Sequence, residues 1–576
     1  MKVCICEKPS VAKDIAKVLG ATNSKDGYYE GNGYQVTWTF GHLCGLKMPE
    51  EYDPRWKKWN FSALPIIPAR FKIKVMENAG VQKQFNIIKL LVESAEEVIN
   101  CGDAGQEGEL IQRWVLHLCK VSCPVKRLWI SSLTEDSIRK GFENLRPNEE
   151  FELLYQAGMA RSIGDWLLGI NSTRYYTIRS GGYGNLKSVG RVQTPTLAMV
   201  VERDKEIEKF ESSEFYNLST TVKGVKFLNS KKFTDKKEVD NILKEIKEGE
   251  FVVKEVKEAL KSEKPPKLFD LTSLQVYCNN AFGYSAEVTL NGLQNLYEKK
   301  LTTYPRVDTC YLTNDIYKDC PRILNQLKSG YDYINQLDTN NLEKRKTVFD
   351  DTKVTDHHAI IPTGRFDFSL NEIEGNIFDT IVKRFICVFF PDFKYNESII
   401  IGEVKDVDFK ASGRIVKQEG FYEVLGGAPQ DVTIPDFAEG EVLLHKPKVD
   451  KKTTSAPQHF TEATLLRAME TAGKTLEDKE LKDAMKENGI GRPSTRASII
   501  ELLINRGYIV REKKKLISTE TGRNLIQCID EEVLKSAKLT GEWENKLRKI
   551  ERGEYDAKTF LDEMKNQVRS IIYKNS

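Results

Sequence analysis

Hydrophobic and polar positions change period several times along the 576 residues, and each change predicts a different element. The opening MKVCICE has the pattern of a short buried strand. KPSVAKDIAKVLG then switches to helical spacing, with Pro9 in the first turn, where its missing N–H costs nothing. Residues 97 to 119 repeat the plan, with EVINC as a buried strand, GDAGQEG as a turn and ELIQRWVLHLC as a helix. Two such units predict an α/β domain with a parallel sheet over residues 1–150.

From 151 to 212 the period is helical, in LLYQAGMARSIGDWLLGINSTR and TPTLAMVVERDKEI. Between them RSGGYGNLKSVGRVQ is a glycine-rich basic loop that a ligand can approach closely. β-like sequence follows at about 213–260 and 396–447, and both stretches run into lysine- and proline-bearing connectors, KSEKPPKLF and KPKVDKKTTSAPQHF. The similar exits predict a chain that leaves a β-rich lobe and later returns through it. PPKLFDLTSL with EVTLNGLQNLYEKKLTTY is echoed by APQHFTEATLL with TRASIIELLINRGYI, each predicting a capped helix, a second helix and a strand.

Length alone predicts about three to five lobes. No apolar run approaches the roughly 20 residues that span a bilayer, so neither a membrane helix nor a signal peptide is expected, and the expected location is cytoplasmic. Eleven cysteines without a CxxC pair read as reduced core thiols, not a zinc site. With 87 basic and 84 acidic residues the net charge is only +3, so a nucleic-acid partner requires basic charge concentrated in a groove.

Candidate chemistry gathers at the strand ends. Glu7 closes the first strand, and Asp103, Glu107 and Glu109 follow the second; parallel strands bring such turns together at the carboxyl edge of a sheet. Clustered carboxylates suit Mg²⁺ beside a phosphate, although the same residues also stabilise helix amino ends. Lys8 beside them is able to neutralise charge or deliver a proton. In KKLTTYPRVD, Arg306 stands two residues beyond Tyr304; a phenol with a pKa near ~10 needs such cations to act as a nucleophile. Spacing alone does not single Tyr304 out from the 22 tyrosines. His357 and His358 in DHHAIIPT fit phosphate contact or a purely structural role equally well.

In order, EKPS, DAGQEGE, SVGRVQTPTL, LTTYPRVD, HHAIIPT, FTEATLLRAMETAG and GIGRPSTRASIIELLINRGYI resemble motifs of the type IA DNA topoisomerases, in particular the bacterial topoisomerase III group. The resemblance runs unbroken to about residue 525. It implies a multidomain α/β and α+β protein: a Toprim metal-binding domain (1–150), a helical DNA-binding domain with a CAP-like fold (151–212 and 455–576), a β-rich hinge domain (213–268 and 396–454) and a nucleophile domain (269–395), the last three forming a toroidal arch. It implies ATP-independent cleavage of single-stranded DNA through a 5′-phosphotyrosine on Tyr304, strand passage and religation, relaxing negatively supercoiled DNA or separating catenated DNA as a monomer. No GxxxxGK[ST] nucleotide loop occurs in the sequence.

Carried over by position, the resemblance implies Glu7, Asp103 and Glu107 as ligands of one Mg²⁺, Lys8 as general acid, and Arg306 and His357 on the scissile phosphate. It implies Arg161, Asp165, Arg174, Ser188, Arg191, Gln193 and Thr194 along the bound strand, with Arg492, Ser494, Thr495 and Arg496 in a later backbone-binding turn. The chain departs from the acidic pattern DxDxEGE at Gly105 and Gln106, and Val307 replaces a common hydroxyl residue. Two other readings stand beside this one: a single-strand DNA-binding protein weakened in catalysis, and a Toprim nuclease, which leaves the tyrosine segment unexplained.

Overall fold

The computed structural model describes residues 1–574 apart from 131–132, 183, 355–356 and 486–488; Asp356, the first residue of DHHAIIPT, lies outside the described residues. The amino-terminal sheet has seven strands in the order Asn23–Lys25, Tyr28–Gly31, Tyr34–Trp38, Lys2–Cys6, Glu97–Cys101, Val125–Arg127 and Arg146–Pro147. The middle four are parallel and the outer ones antiparallel, so the predicted parallel sheet is a parallel core with reversed edges. Register sets Cys6 opposite Cys101, which brings Glu7 and the Asp103 turn out side by side.

Helix Pro9–Leu19 begins on proline as expected and ends at Gly20, whose φ of 77° is the left-handed cap. Helix Gln106–Cys119 starts directly against the Asp103 turn. A Cβ on Gly108 would meet the Asp103 carbonyl oxygen at 2.3 Å, so the last glycine of GDAGQEG is there for that approach. Gly105 differs: its φ of −176° is extended backbone open to any residue, so the turn does not force the loss of a carboxylate there.

The second seven-stranded sheet draws on both β-like stretches, in the order Val442–Leu443, Phe251–Glu263, Phe393–Val404, Val407–Gln418, Val225–Phe233, Glu214–Val222 and Lys446–Thr453. The strand that leaves, Phe251–Glu263, pairs antiparallel with the one that returns, Phe393–Val404. One helix, Lys236–Lys247, interrupts the first β-like stretch; its apolar positions at helical spacing cover the sheet through Val239 and Ile246.

Residues 271–387 form a lobe around its own core, which runs from Leu268 to Phe393 and adds Phe421 and Val424 from the returning chain. The echoed segments form capped helices as predicted: Asp270 caps Leu271–Phe282 and Thr461 caps Glu462–Thr471, each with a reciprocal hydroxyl bond three residues on. These two helices pack on one another. The echo fails at its end, where the second copy continues into the hairpin Ile509–Glu512 and Lys515–Ser518 while the first ends in an isolated bridge from Thr302 to Pro362. Helix Glu152–Arg179, about 42 Å long at 1.5 Å per residue, is the spine of the helical lobe and packs against Ala537–Glu551 and Ala557–Tyr573. Among the described residues no helix is long and apolar enough to cross a membrane.

One ion pair fixes the acidic turn. Glu109 and Arg127 are both fully buried; Glu109 accepts from Arg127 Nε at 2.9 Å and Arg113 Nε at 2.8 Å. Arg127 then donates to the carbonyls of Gly102 (2.7 Å), Leu128 (2.7 Å) and Asp103 (2.8 Å). Glu109, one of the clustered acidic residues in the sequence, is therefore a structural anchor. Replacing Glu109 with Gln strands a buried guanidinium and is expected to cost about 3–5 kcal/mol, read as a lower denaturation midpoint in urea.

Candidate active site

Tyr304, Lys8, Glu7, Asp103, Glu107, Arg306, His357, Arg161, Arg492, Ser494 and Thr495 all line one cleft of about 1260 Å³ between the sheet's carboxyl edge, the tyrosine lobe and the helical lobe. Their elements reach it for different reasons: Glu7 and Asp103 by strand register, Tyr304 by the turn after helix Ala286–Glu298, and Arg492 at the start of helix Pro493–Asn505.

Lys8 is the centre of the charge arrangement. Its ammonium is hydrogen-bonded to Asp103 Oδ2, lies 3.3 Å from Glu7 Oε1 and sits 4.1 Å from the centroid of the Tyr304 ring. Burial alone would lower its pKa, but Asp103 and Glu7 hold it well above the ordinary lysine range, so Lys8 is a cation at neutral pH. The reverse applies to Asp103: burial raises it, and Lys8 with His357 depresses it far below the usual carboxylate range. Glu7 is raised, by burial first and by Asp103 second. The Tyr304 phenol is pushed up to about 12 because burial outweighs the pull of Lys8. It is therefore neutral at rest, and its proton has to leave as any new bond forms.

The His357 ring lies 4.4 Å from the Tyr304 ring, tilted by 45°, and approaches Asp103 Oδ2 through Nε2 at 3.4 Å. His358 takes the structural alternative, buried with Nδ1 against the Ala359 carbonyl and its pKa lowered by burial. Two further contacts tie the tyrosine lobe to the sheet, Tyr297 Oη to Ser10 Oγ at 3.0 Å and Lys300 Nζ to Asp14 Oδ2 at 3.2 Å.

The carboxylates fit a hard divalent ion only as a pair. Glu7 Oε2 accepts from the Asp103 N–H at 3.4 Å and both side chains share Lys8. Glu107 turns aside, to His42 Nε2 at 3.5 Å and Arg492 Nη1 at 3.8 Å, and its pKa is lowered first by the His42 bond and then by Arg492. Among the described residues no three His, Cys, Asp or Glu side chains converge as a metal cage. Two adjacent carboxylates still satisfy an ion that keeps most of its waters.

The remaining residues implied in strand binding lie outside the cleft, bonded within the protein. Arg191 is buried between Asp165 (3.0 Å) and Glu544 (3.2 Å), and Arg161 holds Glu544 through two bonds at 2.5 and 2.7 Å. Ser188 and Gln193 bond each other at 3.0 Å and both accept from Arg506, Thr194 Oγ1 accepts from the Gly190 N–H at 3.0 Å, and Arg174 donates to the Trp56 carbonyl. Arg496 is buried and reaches across to Thr272 Oγ1 in the tyrosine lobe at 2.9 Å, where it bridges lobes rather than facing the cleft.

The sequence reading missed His42, Glu544 and Glu551. His42 follows the strand beside Lys2–Cys6, a position at the same sheet edge that parallel pairing makes detectable. Glu544 and Glu551 are seven apart on helix Ala537–Glu551 and so share a face. Gln106, in the place where arginine is common, accepts from Arg161 (3.1 Å) and Arg492 (3.2 Å) and donates to Glu551, an accepting role that arginine lacks.

Burial raises the Glu544 carboxyl, but Arg161 and Arg191 override it and bring it to about 2. A free glutamate titrates near ~4.3. Its contribution to stability is therefore complete above that value and is lost as pH falls from there towards 2. Glu544→Gln is expected to lower stability by about 3–5 kcal/mol near neutrality and to flatten the acid side of the profile, checked by urea unfolding across that range.

Comparison with known proteins agrees with this architecture. A family model described as DNA topoisomerase matches residues 149–562, and a Toprim domain model matches 2–133. The chain is 40% identical to DNA topoisomerase 3 of Bacillus cereus, over 99% of this chain and 81% of that one, and 37% identical to DNA topoisomerase 3 of Bacillus subtilis, over 100% and 82%. The structure of full-length topoisomerase I from Thermotoga maritima superposes with a TM-score of 0.72 at 24% identity, covering 100% of this chain and 90% of that one. With a Toprim domain followed by the DNA topoisomerase family's own module, this chain belongs to the type IA DNA topoisomerases, enzymes that pass one strand of DNA through a break in another.

Proposed function

We propose that Tyr304 is the nucleophile, attacking a phosphodiester of single-stranded DNA to leave a 5′-phosphotyrosine and a free 3′-hydroxyl. The observation that carries this reading is the packing of Tyr304 against Lys8 and His357, beside the Glu7–Asp103 pair, in one cleft of about 1260 Å³ that is also lined by Arg161, Arg306 and Arg492. The bond energy is kept in the covalent intermediate, so no ATP is spent. The protein acts as a monomer on negatively supercoiled or catenated DNA.

Each residue then has a share of the work. Lys8, held as a cation, gives its proton to the leaving 3′-oxygen and takes the phenol proton of Tyr304 in exchange, so the bond from Tyr304 Oη to phosphorus forms as the bond to the 3′-oxygen breaks and the site keeps its charge. His357 and Arg306 neutralise the attacked phosphate, and Arg161, Arg492, Ser494 and Thr495 lead the backbone into the cleft. Glu7 and Asp103 would hold a single Mg²⁺, the kind of ion Toprim domains bind, and it would supply positive charge beside the phosphate. Glu107 orders His42 and Arg492 around that site.

The test is relaxation of supercoiled plasmid with trapping of the covalent adduct on an end-labelled single strand. Tyr304→Phe is expected to abolish both; adduct formation that survives the substitution refutes the assignment. Lys8→Ala is expected to slow turnover by about 10²–10⁴-fold while strand binding persists, and chelation of Mg²⁺ to stop relaxation reversibly.

A further inference from the structure

The carboxyl edge of the amino-terminal sheet carries one large side chain that the mechanism above does not use. Pairing sets Cys6 opposite Cys101 and Asn100 opposite Arg127. Continued past the strand ends, that register gives a row from Glu7 through Gly102 to Trp129. Adjacent strands lie about 4.8 Å apart, so Trp129 leaves the sheet roughly 10 Å from Glu7, beyond the Asp103 turn. Trp129 lines the same cleft as Tyr304, together with Arg146 and Phe151.

The three side chains are layered. Phe151 is buried and stacks on the indole of Trp129 at 4.7 Å, with the planes 23° apart. The Arg146 guanidinium lies 4.5 Å from the Phe151 centroid and makes no such contact with Trp129, so it occupies the far side of the phenyl ring. Arg127 lies 5.0 Å from the Trp129 centroid and 5.7 Å from that of Phe151, distances that place it at the edge of the pair and not on the outer face of the indole. Among the described residues no other ring or cation packs on Trp129, which stays 36% exposed. The column Arg146, Phe151, Trp129 therefore ends in an open indole face. Arg127, which fixes the Asp103 turn, also touches this column, so the ring and the carboxylate are held by one guanidinium.

We infer that Trp129 is the platform for one base of the cleaved strand and sets the preference among cleavage sites. The inference rests on Tyr304 as nucleophile and deepens that reading by naming a base subsite. A strand advances at least about 3.4 Å per nucleotide, so a ring roughly 10 Å from Glu7 meets a base within about three nucleotides of the scissile phosphate. An unpaired base is the occupant that fits, because it offers a free ring face of the indole's size and its stacking adds to the column. Stacking reads ring area and not hydrogen-bonding edges, so the preference is for a purine over a pyrimidine at that one position.

The experiment maps covalent breaks made by the full chain with Mg²⁺ on end-labelled single strands of mixed sequence. Wild type is expected to favour a purine at one position within that window. Trp129→Ala is expected to equalise purine and pyrimidine there and to cut the preferred sites about tenfold less, while Trp129→Phe keeps a weaker preference. The share of cuts among sites is compared within one reaction, so a partly unfolded variant, which loses all sites alike, does not imitate this result. An abasic residue at that position is expected to lower cleavage by wild type and to leave Trp129→Ala unchanged. If wild type shows no purine preference in the window, or if Trp129→Ala retains it, the subsite is refuted and Trp129 only covers Phe151. If wild type forms no adduct on Tyr304, the nucleophile reading falls and the subsite with it.

Discussion

The buried pair between Glu109 and Arg127 is the interaction on which the rest of the site depends. Two charges taken fully out of water are tolerable only when every remaining donor is used, and Arg127 spends its donors on the carbonyls of the turn that carries Asp103. The turn is thereby held against the start of helix Gln106–Cys119, with Gly108 allowing the contact. A turn fixed from below presents Asp103 in one position relative to Glu7, and that position decides where Lys8 and then Tyr304 come to rest.

Above that turn the site is a balance of unlike charges across a lobe boundary. Lys8 satisfies two carboxylates that would otherwise repel each other in a buried place, and the same ammonium lies over the phenol ring. Only a few polar contacts join the tyrosine lobe to the sheet here, among them Ser10 with Tyr297 and Lys300 with Asp14. With Tyr304 as the proposed nucleophile, strand passage parts these lobes. A boundary of exchangeable ion pairs and one cation–π contact is better suited to that than a continuous apolar seam, whose separation exposes hydrocarbon to water.

Basic residues divide into two populations that composition does not separate. Arg191, Arg496 and Arg127 are buried and consumed by bonds within the protein. Arg161 and Arg492 line the cleft and share Gln106 as a common acceptor. The glutamates that meet Arg161 and Gln106, Glu544 and Glu551, both come from helix Ala537–Glu551, which therefore helps to build the cleft wall.

What the sequence determined by itself was the set of elements and their chemistry. Strand and helix periods located the two β–turn–α units, the out-and-back β lobe and the paired capped helices, because local periodicity and capping are properties of short segments. Ordered motifs singled out Tyr304 among its like, which spacing alone did not. Tertiary structure decided which acidic residues face the cleft: Glu7 and Asp103 meet through strand register, Glu109 is sealed beneath them and Glu107 turns to His42. It also decided which arginines are internal ties, and it set Trp59 over Arg174 from a segment more than a hundred residues away. The reason is physical: burial and ion pairing depend on what arrives from distant segments, and no local pattern records those arrivals.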